Sequence, residues 1–414
     1  MSWQPDESFA RALDAADPLR HHREQFHIPC RSDGSPVLYF CGHSLGLQPR
    51  RARAMIEQEL DAWARLGVDA HFRGKNPWYS FHENFTEPGA RLVGAHPGEV
   101  VFMNSLTVNL HLMMMTFYRP TPTRFRILMD APVFPSDLYA MQSQLRHHGF
   151  EPSEGLLLVD PDDIEASLDE QGRDIAVVLL SGVNYLTGEY FDIPRLADAA
   201  RRHGCVFALD LAHAAGNVVL RLHDWQVDFA VWCGYKYLNG GPGGVAGCFV
   251  HERHGQDLRL PRVAGWWGTD PATRFQMESQ TDFVARAGAD GWQISNPPIL
   301  AMAPLLAALA LFDEAGMPVL RAKSERLTGY LYYLLQRLPS RAFEILTPSD
   351  PVRRGCQLSL RIHDRPHELL PALQTEGVVC DFREPNVLRV APVPLYNTFH
   401  EVWTFARLVG QFLH

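Results

Sequence analysis

The chain has 414 residues, 46% of them hydrophobic and 21% charged, the balance of a globular protein with length for about two domains. A formal net charge of −9 argues against a nucleic-acid partner or an anionic membrane surface, since both demand basic patches. Seven cysteines, at positions 30, 41, 205, 233, 248, 356 and 380, form no C-x-x-C pair, which suggests reduced thiols in a cytoplasm rather than a disulfide framework or a zinc site.

In chain order, "MSWQPDESFARALDAADPL" is acidic and broken, unlike a signal peptide. After Pro49, the apolar residues Met55, Ile56, Leu60, Trp63 and Leu66 fall at helical spacing and predict a helix over 51–66. In "MNSLTVNLHLMMM" (103–115), Asn104, Ser105 and Thr107 stand at the start of a run with helical spacing at Leu106, Leu110 and Met114. A helix start of this kind presents free backbone N–H groups to a phosphate, although an ordinary capped core helix reads the same way. The middle of the chain alternates. "IAVVLLSGV" (175–183) reads as a buried strand, "IPRLADAARRHG" (193–204) as a helix, and "CVFALDLAHAAG" (205–216) as a strand with a polar end. Two more strands follow in 228–238 and 243–252.

This alternation predicts an α/β fold, a large and mainly parallel sheet with helices on both faces. "PPILAMAPLLAALALF" (297–312) is shorter than the ~18 residues of a membrane span and contains Pro304, so it reads as a buried helix. A smaller α+β unit is expected from 355–363, 367–378 and 387–395. The expected division is an N-terminal segment (1–50) packing near the small unit, a large domain (51–300) and a small C-terminal domain (301–414).

Lysine is rare here: of 38 basic residues only Lys75, Lys236 and Lys323 are Lys. Lys236 sits in "VWCGYKYLNGGPGG", between two tyrosines and after an apolar run. An amine in apolar surroundings loses hydration, becomes a neutral nucleophile and bonds aldehydes, which Arg does not do. A lysine at a strand end that buries its stem and exposes its head fits the same residues. Asp210 adds a second point. It ends the strand "CVFAL" and stands 26 residues before Lys236, and open α/β sheets bind ligands beyond their strands' carboxyl ends. Pyridoxal 5'-phosphate (PLP) needs such a pair: a lysine for its aldehyde and an acid that keeps its pyridine nitrogen protonated. His213, three residues on, is near enough to serve either; a helix cap is the plainer role for Asp210.

"GHSLG" (42–46) matches the G-x-S-x-G elbow of serine hydrolases, with Ser44 as nucleophile. Only about forty irregular residues precede it, where an elbow normally follows several strands of a sheet.

The segments "FCGHSLGLQP", "MNSLTVNLHLMM", "FPSDLYAMQSQLRHHG", "DLAHAAGN", "WCGYKYLNGGPGG", "GWWG", "ISNPPIL" and "LRVAPVPLYN" resemble, in order, those of kynureninase. The resemblance implies a fold-type-I PLP enzyme, a homodimer with active sites at the subunit interface. It also implies cleavage of L-kynurenine, or its 3-hydroxy form, to an anthranilate and L-alanine. On that resemblance Lys236 holds the cofactor aldehyde, with Asp210 and Tyr235 as its catalytic companions and Tyr235 relaying protons. Leu106 and Thr107 meet the phosphate, Phe134 stacks on the ring beside Pro135, Ser136 and Asp137, and Ser181 and His213 make further cofactor contacts. Trp266 and Asn296 reach in from the partner. Arg389 clamps the substrate carboxylate, Ser44 adjoins the substrate, and His71 and Asn296 line its aromatic end in relatives that favour the 3-hydroxy form.

The chain departs from the family pattern at His43, where Asn is common, and at Thr269, where some relatives carry His. Other PLP reactions remain as alternatives. An aminotransferase is one; a cysteine desulfurase is another, but Cys356 lies before a strand and fits a mobile catalytic thiol poorly.

Overall fold

The computed structural model describes residues 3–279, 282–339 and 341–413. Strand β1 (Leu38–Tyr39) stands outside the main sheet. That sheet has seven strands: β2 (Val100–Phe102), β3 (Arg126–Asp130), β4 (Leu156–Val159), β5 (Ile175–Ser181), β6 (Val206–Asp210), β7 (Phe229–Trp232) and β8 (Gly247–Val250), in the order β2-β8-β7-β6-β5-β3-β4. Neighbours from β4 through β7 pair in parallel, and only β8 runs against its neighbours. In β5 every residue but Ser181 is buried, as helices on both faces require. The runs behind β2, β3 and β4 are three to five residues long. β6, β7 and β8 are no longer, at four or five residues, but they follow one another closely after β5, so the alternation is legible between 175 and 252 and not around β2, β3 and β4.

The second sheet has the order β12-β13-β10-β9, from β9 (Phe343–Ile345), β10 (Leu358–Ile362), β12 (Asp381–Arg383) and β13 (Val387–Val390). A short β11 (Val378–Val379) pairs in parallel with β1. Two hydrophobic cores result on this side of the molecule. One joins the main sheet to the helix Ile299–Ala315, which lies against the helix Arg50–Leu66 and buries nine of its residues, Met302 to Ala315. The other gathers the small sheet, the helices Met317–Leu335 and Phe399–Leu413, and Ala10 and Leu13 of the N-terminal helix Glu7–Ala15. A third cluster fills the opposite face of the main sheet, under the helices Leu106–Phe117 and Pro135–His147. Among the described residues, no single helix is long and apolar enough to cross a membrane.

Strand β3 has β4 on one side and β5 on the other, so the winding direction of the sheet reverses between β3 and β5. A crevice opens at such a reversal, beyond the carboxyl ends of the strands.

Candidate active site

Three strands end in polar residues at that crevice: β3 in Asp130, β5 in Ser181 and β6 in Asp210, with Ser181 and Asp210 paired in register. Beyond β7, the turn after Trp232 carries Lys236 to the same place. They line one pocket together with Phe134, Asp137, Tyr185 and His213. Lys236 Nζ stands 5.6 Å from the centroid of the Phe134 ring.

The cavity holds more acid than its neighbours satisfy. Asp130 accepts the Ser181 N–H at 2.7 Å, the Ser181 hydroxyl at 2.5 Å and the Asn184 amide at 3.0 Å. Burial outweighs these bonds and pushes its carboxyl up to about 6. Asp137 is raised further, first by burial and then by the adjacent Asp210, and its Oδ1 has no partner among the described residues. Asp210 Oδ1 accepts the Ala212 N–H at 2.7 Å. Burial and the neighbouring carboxyl hold Asp137 toward its protonated form. His213 is buried, its Nδ1 is unpartnered, and burial with Lys236 and Arg389 nearby keeps its imidazole neutral. Tyr235 is half-buried, and burial followed by Cys233 raises its phenol.

Beside the cavity two helices begin. Leu106 and Thr107 open one, Pro135, Ser136 and Asp137 the other, and Thr107 Oγ1 lies 3.3 Å from Ser136 Oγ. Converging N-termini and two hydroxyls suit a phosphate.

These features fit PLP. There is an amine for the aldehyde, an acid pair with an orphaned oxygen for a cationic ring nitrogen, Phe134 for a ring face, and two helix starts for the phosphate.

The small domain supplies the guanidinium. Arg389 on β13 is 1% exposed. Its Nε donates to Asp381 Oδ1 at 2.8 Å, across the β12–β13 register, and its Nη1 to the Tyr185 carbonyl at 2.7 Å. Gln357 donates to the same carbonyl at 3.0 Å. Two N–H groups hold the fork in place and the others stay available for a carboxylate.

The "GHSLG" segment is wedged between this domain and the lysine turn. A Cβ on Gly42 would stand 2.3 Å from the Tyr396 hydroxyl, and one on Gly46 would stand 2.3 Å from the Lys236 carbonyl. Gly46 N–H donates to the Tyr235 carbonyl at 2.8 Å. Both glycines are explained by close approach. The serine-hydrolase alternative is thereby overturned. The segment follows two-residue β1 rather than a main-sheet strand, and among the described residues no histidine hydrogen-bonds Ser44. The desulfurase alternative fails on Cys356, which is fully buried with its thiol pushed up to about 12.

His71, Trp266 and Asn296 do not line the lysine cavity. His71 packs edge-on to Trp78 at 5.3 Å and lies 6.3 Å from Phe72, centroid to centroid. Phe72 leads through Phe275 to Trp266, with centroids 5.9 and 6.3 Å apart, so His71 and Trp266 share one aromatic cluster. Asn296 is exposed. Asp130, Tyr185 and Asp381 escaped the sequence reading. Asp130 ends an apolar strand in an acid, the same signal that marked Asp210; nothing local marks Tyr185 or Asp381.

The family model for the kynureninase C-terminal domain matches residues 320–409. The chain is 54% identical to a kynureninase of Myxococcus xanthus over 414 residues, covering 98% of this chain and 97% of that protein. It is 53% identical to one from Koribacter versatilis, covering 97% and 96% respectively. Among solved structures, an apo cysteine desulfurase from Thermococcus onnurineus aligns with a TM-score of 0.73 at 17% identity, covering 91% of this chain and 94% of that one. A C-DES mutant with glycine covalently linked to its PLP cofactor aligns with a TM-score of 0.77 at 17% identity, covering 94% and 98%. At that identity the structural likeness establishes the fold.

Proposed function

The chain belongs to the kynureninase family, and from that premise we propose how its own residues act, which second substrate it takes and how two copies complete each site. The established reaction is PLP-dependent hydrolysis of kynurenine at its Cβ–Cγ bond, giving anthranilate and L-alanine. The single observation that carries the assignment of roles is the convergence of Lys236, Asp137, Asp210, His213 and Phe134 on one cavity at the reversal of the sheet.

Bound there, PLP supplies an electron sink for the bonds broken at the substrate's Cα and Cβ. Lys236 Nζ would hold the cofactor aldehyde, and its amine is the base placed to take the Cα proton. Asp210 would face the ring nitrogen, with Asp137 beside it. Leu106, Thr107 and Ser136 would hold the phosphate, and Phe134 would fix the ring plane. Arg389 takes the substrate α-carboxylate. Tyr235, next to the lysine, is the proton relay: water adds to the side-chain carbonyl, the Cβ–Cγ bond breaks, the aryl fragment leaves as anthranilate, and Cβ takes the proton that completes L-alanine.

The second substrate is 3-hydroxy-L-kynurenine. His71 and Asn296 offer donors and acceptors to a ring hydroxyl, and a site built for that group leaves them unpaired with the analogue lacking it, at about 1–3 kcal/mol. The homodimer reading is supported by the aromatic cluster that carries His71 and Trp266, where Phe72 is 58% and Phe275 60% exposed. Such a patch calls for a covering surface, and a second copy would bring Trp266 and Asn296 to the neighbouring cavity. The seven unpaired cysteines support a cytoplasmic location.

The test incubates the purified protein with PLP and each substrate and compares kcat/KM, alongside sedimentation to read the mass. A preference for 3-hydroxykynurenine that His71→Trp/Asn296→Thr reverses is the expected result. A parent enzyme that prefers plain kynurenine, or a ratio unmoved by the double change, refutes the hydroxyl reading; a monomeric active enzyme refutes the shared site.

A further inference from the structure

Beside the lysine cavity one buried side chain lacks a role. His43, in the wedge between the two domains, is 1% exposed, and neither ring nitrogen has a partner among the described residues. A buried polar group without a partner costs about 1–3 kcal/mol, so its persistence calls for an occupant that the free protein lacks.

Its surroundings say what that occupant is. The ring lies 6.2 Å from that of His213, centroid to centroid. One of its nitrogens falls within 4.8 Å of both the Cys41 sulfur and a carboxylate oxygen of Asp381. That carboxylate is already engaged, taking Arg389 Nε at 2.8 Å and Arg383 Nε and Nη2 at 3.1 and 3.2 Å. The charged groups near His43 are Asp381, whose carboxylate is taken up by the two arginines, and Arg389, Lys236 and Arg383, all donors; burial followed by these cations keeps the imidazole neutral. A neutral imidazole must place one N–H, and donors cannot receive it. The missing partner is therefore an acceptor, and beside the buried Arg389 and the half-buried Lys236 an anionic acceptor is the favoured one.

We propose that His43 is a substrate-binding residue: its ring N–H donates to the α-carboxylate of the amino-acid substrate, alongside the Arg389 fork. The proposal rests on the reading of Arg389 as the carboxylate clamp. Arg389 spends two N–H groups on Asp381 and Tyr185, and His43 adds a donor from the N-terminal segment. Asn would also offer an N–H from a shorter side chain; an apolar residue offers none.

The PLP-loaded protein is titrated calorimetrically with the product L-alanine and with L-alaninamide, which lacks the carboxylate. His43→Leu and His43→Phe remove the N–H, the second keeping the ring's bulk. Both are expected to bind L-alanine about 10- to 100-fold more weakly than the parent, to bind L-alaninamide as the parent does, and to hold PLP unchanged. His43→Asn is expected to recover most of the loss. An unchanged L-alanine affinity, an equal loss for both ligands, or a loss confined to PLP overturns the proposal. A parent protein that does not distinguish L-alanine from its amide overturns the Arg389 reading instead.

Discussion

The acid pair in the cavity gives the sharpest prediction, because its two members are expected to respond oppositely to the same change. Asp137→Asn replaces a protonated acid with a neutral amide of the same shape, whereas Asp210→Asn removes a charge. Asp137 is buried against Asp210 with an orphaned Oδ1, so ionising it in the cofactor-free protein is opposed by burial and by a like charge. Its folded pKa lies well above that of an ordinary aspartate, so the folded state holds the proton more tightly than the unfolded chain does. Stability is therefore greatest at low pH as far as this group is concerned, and falls as pH climbs from about 4 toward the raised value. At neutral pH the amide spares the fold that burden, for a gain of about 1–3 kcal/mol, or on the order of 2–5 °C in Tm. Melting curves of the cofactor-free proteins between pH 5 and 8 provide the assay: the parent should lose Tm with rising pH more steeply than Asp137→Asn. In the loaded enzyme, Asp210→Asn loses a charge-assisted hydrogen bond to the ring nitrogen, about 1.5–3 kcal/mol, or about 10- to 150-fold in kcat. Asp137→Asn should lose far less. A cofactor-free Asp137→Asn that melts lower than the parent with the same pH slope refutes the assignment of the proton, and equal rate losses in the two variants refute the division of labour.

Lys236→Ala should keep the fold and the PLP phosphate site while losing at least about 10²- to 10⁴-fold in turnover; near-normal activity would remove the lysine from the chemistry. Arg389→Lys keeps the charge but not the fork held by Asp381 and Tyr185, so KM should rise more than kcat falls; steady-state kinetics with unchanged KM would place the carboxylate elsewhere. Gly46→Ala puts a methyl within 2.3 Å of the Lys236 carbonyl and 2.4 Å of Asn239 Oδ1, and should depress both Tm and kcat by displacing the wedge from the lysine turn. An unperturbed Gly46→Ala would show that the wedge does not hold the lysine in place.

Much of the site was legible because chemistry of this kind concentrates at strand ends. Asp210 and Lys236 stand out in the sequence since an acid or a lone lysine closing an apolar run has few structural uses, and the sheet places both at its reversal. Asp130 closes β3 in the same way, but a five-residue strand beginning in Arg126 gives too little apolar run to announce itself. Asp381 and Tyr185 were invisible for a different reason. Asp381 acts by lying opposite Arg389 in the β12–β13 register, and Tyr185 by a backbone carbonyl that any residue would supply. Neither property resides in a side chain read locally.

The "GHSLG" segment shows how a motif can be right in its letters and wrong in its reason. In a nucleophile elbow the glycines relieve a strained strand-to-helix turn around the serine. Here they relieve contact with other parts of the chain: Gly42 with Tyr396 and Val393 of the small domain, Gly46 with the lysine turn of the large one. The wedge consequently touches both halves of the site, as the Tyr185 carbonyl also does, and it carries His43, Ser44 and Leu45 between its two glycines. That placement has an energetic consequence. A shift of the small domain that moves Arg389 must also move the wedge, because Tyr396 and Gly42 interlock, and the wedge is in turn bonded through Gly46 N–H to the Tyr235 carbonyl beside the lysine. Carboxylate capture by the small domain and the posture of the lysine turn are therefore mechanically joined through five residues that a pattern search would have given to a different enzyme.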